Sequence, residues 1–190
     1  MSGGHFHVHG PHDHAVEHAA HGSDDFASRI AVMTAVLSTV GALFSYQGGA
    51  TQNDAMLHKN NAAIKKTEAS NQWNYYQAKS NKQNLAELAV ALNEGEKKAK
   101  YQQEVDRYKS EKAEIMAEAK KLEAEVKEFD QKSEAALHLH HRWAQAMTAI
   151  QIAISLAAIT LLTRRRWLNI ATYIAATIGA TLAVMAVAHV

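Results

Sequence analysis

Three stretches of the chain are almost continuously apolar, and a long charged middle separates the first from the other two. Phe26 to Tyr46 reads FASRIAVMTAVLSTVGALFSY, Trp143 to Thr163 reads WAQAMTAIQIAISLAAITLLT, and Trp167 to His189 reads WLNIATYIAATIGATLAVMAVAH. A helix needs about 20 such residues to cross a hydrocarbon layer of roughly 30 Å. Each stretch is therefore predicted to be a transmembrane helix, with Phe26, Tyr46, Trp143 and Trp167 as interfacial anchors. The pattern predicts an all-α membrane protein with spans at 26–46, 143–163 and 167–189. A very short arginine loop, 164–166, joins the last two spans. The first span is read as retained, because the segment before it lacks the basic n-region of a signal peptide.

The middle, 47–142, is rich in the helix formers Ala, Glu, Lys and Gln. From Tyr101 the apolar residues recur at steps of four and three: Val105, Tyr108, then Ile115, Ala119, Leu122, Val126 and Phe129. Lys112 and Ser133 fill the missing steps. This is the heptad seam of a coiled coil. Leu85, Leu88 and Leu92 keep the spacing in another phase, and Ala69, Trp73 and Tyr76 form a further short seam.

The phase breaks at Asn93-Glu94-Gly95-Glu96, residues that end helices through a left-handed cap. Gly95 lies nearly midway between the first two spans, so the segment is predicted to fold as a long antiparallel helical hairpin turning at 93–96. At 1.5 Å per residue each arm reaches roughly 70 Å. The hairpin predicts Trp73 near Ile115 and Met116, Leu88 near Tyr101, and Ile64 near Val126. Gly48 and Gly49, just past the first span, either bend the chain or narrow the helix.

Composition changes this picture little. The net charge is +1, with 20 basic and 19 acidic residues, which gives no electrostatic case for nucleic acid as a partner. There is no cysteine, hence no thiolate or disulfide chemistry, and the only proline is Pro11. Arg164, Arg165 and Arg166 determine orientation by the positive-inside rule. They predict a cytoplasmic N-terminus, with the hairpin and the C-terminus on the opposite side of the membrane. The many lysines of 47–142 run against that rule, but they sit in a long segment balanced by acids.

The run ASNQWNYYQAKSNK (69–82), following NDAMLHKNNA, resembles the shared core motif of an uncharacterised bacterial membrane family, domain-of-unknown-function family 4337. A span ending in LLTRRRW and followed by a third span is similar to that family too. The resemblance covers roughly residues 25–185. It implies a membrane location and three spans, and it brings no activity and no site residue.

Candidate contacts come from the residues themselves. Trp73 and Tyr76 share one helix face, and Tyr75 and Lys79 another. The aromatics therefore either fill a coiled-coil layer or offer a docking surface, with Tyr75 the better intermolecular contact. Ala171, Ala175, Gly179 and Ala183 recur every four residues in the third span, a spacing that lets helix backbones approach closely. Ala149, Ala153 and Ala157 repeat it in the second. Such ridges serve packing within the chain or a homo-oligomer.

Gln151 and Ser155 lie inside the second span, where polar groups need protein partners. They act as interhelical links or, in an oligomer, line a pore. No acidic or basic residue lies deep in a span, which argues against an ion-coupled pump.

Histidines suggest metal twice. HLHHRW (138–143) sets His138 and His141 three apart. The tail, 1–25, holds seven histidines, of which His7, His9, His14, His18 and His21 are candidates for weak binding of a divalent transition metal. No glycine-rich phosphate loop, nucleophile elbow or HExxH motif is present, so no catalytic residue and no resident cofactor are expected. The expected role is a self-associating scaffold or accessory subunit, its partners the bilayer, further copies, and an unknown membrane or periplasmic protein. The competing roles are an oligomeric channel or transport component and, more weakly, metal handling by the tail.

Overall fold

The computed structural model describes residues 25–188, which contain three helices and no strand. Helix α1 is Asp25–Leu92, α2 is Gly95–Thr163 and α3 is Arg166–Val187. The tail histidines His7, His9, His14, His18 and His21 lie outside the described residues. Each helix contains a window long and apolar enough to cross a membrane. Only 22% of that window is buried in α1, 33% in α2 and 22% in α3.

Two units form. One takes the described residues up to Gln52 together with those from Leu137 on, and the other is Asn53–Ala136. In the first unit, Leu37 packs with Ile150, Ala153 and Ile154, while Trp143 and Ala146 pack with Ala183 and Ala186. Phe44 reaches both clusters, and its ring centre is 5.5 Å from that of Trp143. Threonine hydroxyls along the apolar segments are satisfied by their own helix, while Ser38 Oγ is buried without a partner. Thr34 donates to Ile30 O at 2.8 Å, Thr160 to Leu156 O at 2.7 Å and Thr172 to Leu168 O at 3.0 Å. That leaves few groups needing water, as an apolar medium requires.

Gly48 and Gly49 lie inside α1, which continues as helix past both. Gly48 narrows α1. It is buried, its carbonyl is 2.8 Å from His140 Nδ1, and a Cβ on it would meet the Trp143 Cβ at 3.5 Å.

In the second unit, α1 and α2 touch in opposite directions. Ser133 Oγ donates to Ala55 O at 2.9 Å, Lys59 pairs with Asp130 at 2.7 Å and Lys65 with Glu125 at 3.2 Å. Further along α1, Lys79 pairs with Glu111, Gln83 accepts from Lys112, and Ala86 clusters with Val105 and Tyr108. Partner numbers fall as α1 numbers rise. On α2 the buried positions Val105, Tyr108, Ile115, Ala119, Leu122 and Ser133 follow the four-three spacing.

The α1 side differs from expectation. Its buried residues are Ala55, Ala62, Ala69 and Ala86, whereas Leu85, Leu88, Leu92 and Ile64 are 67%, 56%, 75% and 56% exposed. Leu88 and Ile64 therefore do not join the inner seam with Tyr101 and Val126. Small residues at seven-residue intervals let the bulky α2 side chains fill the interface, and the leucines turn outward. The Trp73 side chain reaches toward higher numbers on α2, its Nε1 donating to Glu123 at 2.8 Å. Helical side chains lean toward their own N-terminus. In an antiparallel pair that direction runs toward higher numbers on the partner helix.

Helix α1 stops at Leu92, where Asn93 Nδ2 donates to Ala89 O at 2.8 Å, and Gly95 takes φ +62°. The second turn is tighter than three residues. Arg164 adopts φ 54°, its N–H bonds to Thr160 O at 2.9 Å, and α3 begins at Arg166.

Candidate functional site

The motif around Trp73 forms a polar and aromatic layer across the helix pair. Lys79 extends from α1 to 2.5 Å from Glu111 on α2, with its ammonium 5.2 Å from the Tyr75 ring centre and 5.6 Å from that of Tyr108. Arg107 covers the Tyr108 ring at 4.9 Å, and Lys112 covers the Tyr76 ring at 4.9 Å while donating to Gln83 at 3.2 Å. The hydrogen bond from Lys79 holds the Glu111 carboxyl below its ordinary range, and Glu111, then Tyr75, raise the lysine. Both charged forms are favoured together. Cations over aromatic faces attract the ring quadrupole. An aliphatic residue slipped into this layer would leave a charge unpaired, so the layer distinguishes one register from its neighbours.

Of the three aromatics, Trp73 and Tyr76 are half-buried and stacked edge to face, ring centres 5.6 Å apart. Tyr75 is 50% exposed. Beside them an open groove of about 540 Å³ is floored by Ala69 and Val126 and walled by Trp73, Asn74 and Glu123. Its polar residues come from both helices of one chain, and Trp73 and Glu123 are bonded to each other across it.

Along the third span, Gly179 and Ala183 are buried within the chain, and Ala171 and Ala175 are half-buried. A Cβ on Gly179 would lie 2.9 Å from Ile150 Cγ1 and Cδ1 and 3.2 Å from Ala146 O. The small residues at this end of the ridge thus receive α2 of the same chain. In the second span, Ala153 and Ala157 are fully buried, whereas Gln151 and Ser155 are exposed. Ser155 Oγ donates to Gln151 O at 3.0 Å. The Gln151 amide nitrogen lies beside Gly41, 3.7 Å from where a Cβ would stand. Arg164, Arg165 and Arg166 are exposed at the turn between α2 and α3.

Among the histidines of HLHHRW, His138 and His141 are exposed and His140 is the one turned inward, against Gly48. The described residues contain no group of three His, Cys, Asp or Glu side chains placed to hold a metal ion. Sequence reasoning missed the Lys79–Glu111 pair and the inward His140. Neither carries a signal without knowledge of which residues face each other.

A protein-family model described as "Domain of unknown function (DUF4337)" matches residues 26–189. No curated protein and no solved structure matches the chain.

Proposed function

The chain belongs to the DUF4337 family, whose description assigns no activity, and from its own surfaces we propose that it is a membrane-anchored, self-associating scaffold. The observation that carries the reading is the uncovered apolar surface of its three helices. No more than a third of any span-length window is buried by the chain itself, and an apolar surface of that extent is stable only against lipid or another protein. In this reading α1, α2 and α3 cross the bacterial inner membrane, and the stretch Asn53–Ala136 is an antiparallel coiled-coil hairpin outside the bilayer. The arginines at 164–166 hold their turn on the cytoplasmic side, with the hairpin periplasmic.

Self-association is supported by Gln151. Its exposed amide, inside a span, needs a polar partner that lipid does not offer. The absence of a role for chemistry is likewise part of the proposal. Across the helix pair of Asn53–Ala136, charges are tied to one another in Lys59–Asp130, Lys65–Glu125 and Lys79–Glu111. A scaffold needs rigid, register-fixed arms, which is what these pairs supply.

The second reading is an oligomeric channel whose polar lining includes Gln151 and Ser155, favoured by their shared exposure on α2. Two measurements test these readings. The full chain must remain in the pellet after alkaline carbonate extraction of membranes; release into the supernatant contradicts the membrane anchor. Purified protein in liposomes separates scaffold from channel: the scaffold gives no ion flux above empty vesicles. Flux that changes on Gln151→Leu would replace it with the channel.

A further inference from the structure

Helix α1 carries a second seam, opposite the one that packs on α2. Starting at Leu57 and stepping three and four residues alternately to Leu92, every position reached is exposed and none is charged. The helix around it is well supplied with charge, including Lys59, Lys65, Lys66, Glu68, Lys82 and Glu87. Its aliphatic residues lie toward the ends, Leu57 and Ile64 with Asn60 between them at one and Leu85, Leu88 and Leu92 at the other, the aliphatics 55–75% exposed. Its centre holds Asn71, Asn74 and Asn81.

The other two large exposed apolar residues of α1 past Gln52, Met56 and Tyr75, directly flank it. Between Gly95 and Ala136, by contrast, α2 exposes one large apolar residue, Tyr101, at 36%. The apolar surface is confined to one stripe of one helix, and its alternating step is the one at which a helix recognises another helix.

We propose that this seam is the contact between α1 helices of two copies of the chain, parallel and in register. The inference rests on the membrane-anchored, self-associating reading, since anchors in one bilayer make the two helices parallel and hold them at one height. Two features specify a second copy as the occupant. An Asn in such a seam is favourable opposite another Asn and costly opposite Leu or Ile. A helix matching this order of aliphatic and Asn layers, step for step, is α1 itself.

Charge agrees. In a parallel pair, the position after each second seam residue faces the position before each first one on the partner. The former set includes Glu68 and Lys82, and the latter runs Met56, Ala63, Ser70, Gln77, Asn84 and Ala91, all uncharged. Two identical helices therefore meet without like charges opposed. Ser70, Asn74 and Gln77 also line the open groove beside Trp73, which gives the incoming helix a concave edge to lie along.

The chain has no cysteine, so single cysteines report contact cleanly. Ile64→Cys and Leu85→Cys, each at an exposed position that folding does not need, are oxidised with diamide in native membranes. Ala117→Cys and Ala124→Cys, exposed on the far side of α2, are the controls. The proposal predicts covalent dimers with each seam variant alone, formed roughly tenfold faster than with the controls, since disulfides need Cα atoms within about 7 Å. Dimers only when the two seam variants are mixed would mean antiparallel pairing and overturn it. Crosslinking to a different protein would overturn it as well. Seam cysteines no faster than the controls, in a particle whose mass is that of several chains, would remove this interface and leave self-association standing. A single-chain mass would remove both.

Discussion

Gly179 on α3 and Ile150 on α2 are in contact that leaves no room for a methyl group: a Cβ on the glycine would stand 2.9 Å from two carbons of the isoleucine. Ile150 is 1% exposed, and on its other side a Cβ at Gly41 would come within 3.2 Å of its Cγ2. One branched side chain is thus held between two glycines from two different helices. Gly179→Ala should cost about 1–3 kcal/mol, the usual price of overpacking. Ile150→Ala should cost less in that background than in the parent, because contacting residues couple. Thermal unfolding in detergent reads both, and strictly additive losses would contradict the contact.

Glycine-to-alanine changes should have opposite signs at two other positions. Gly49 is exposed, helical and has nothing within 4 Å of a Cβ, so Gly49→Ala should stabilise by about 0.5–1 kcal/mol. Gly95 has equal space but φ +62°, so Gly95→Ala should destabilise by about 1–2 kcal/mol. Unfolding midpoints of the two variants check this, and equal shifts would refute the assignment of the turn.

The ion pair of Lys79 with Glu111 makes a pH prediction. Glu111 is held below its ordinary value, so its contribution is complete above about pH 4.3 and is lost as pH falls through the lower folded value. Lys79 is raised, so its share is complete below about pH 10.4 and is lost as pH rises through the higher folded value. Between these limits the contribution should be flat. Glu111→Gln should lower the unfolding midpoint at neutral pH, with the gap to the parent narrowing as pH drops below the carboxylate range. A gap that stays constant down to low pH would show that the carboxylate charge is not involved.

The sequence revealed one half of the helix pair and hid the other. Val105, Tyr108, Ile115 and Leu122 are large and apolar at steps of three and four, so their face of α2 stands out in any hydropathy pattern. The opposing face of α1 is built from Ala55, Ala62 and Ala69, with His58 and Lys65 between them and Lys79 beyond. Alanines carry little hydropathy, and the regularity lies in their seven-residue interval, which Gly41 and Gly48 continue. Leu85, Leu88 and Leu92 keep the spacing of a coiled-coil seam but face outward. The apolar spans were legible because length and composition alone define them. The Lys79–Glu111 pair was not, because its meaning depends on a partner 32 residues away in sequence whose register only the folded helices set.

Gln151 offers a further test of how the spans associate. If its amide is bonded between copies, Gln151→Leu should weaken association by about 0.6–2 kcal/mol, the range for polar contacts between membrane helices. Energy transfer between labelled chains, diluted in detergent, measures it. Tighter association of the leucine variant would show that the amide faces lipid.

Self-association is tested most directly by the mass of the full chain in mild detergent, read by native mass spectrometry. One chain weighs 20.8 kDa. The scaffold reading predicts a protein mass of two or more times that value, retained on dilution. A particle of one chain at every concentration would contradict it.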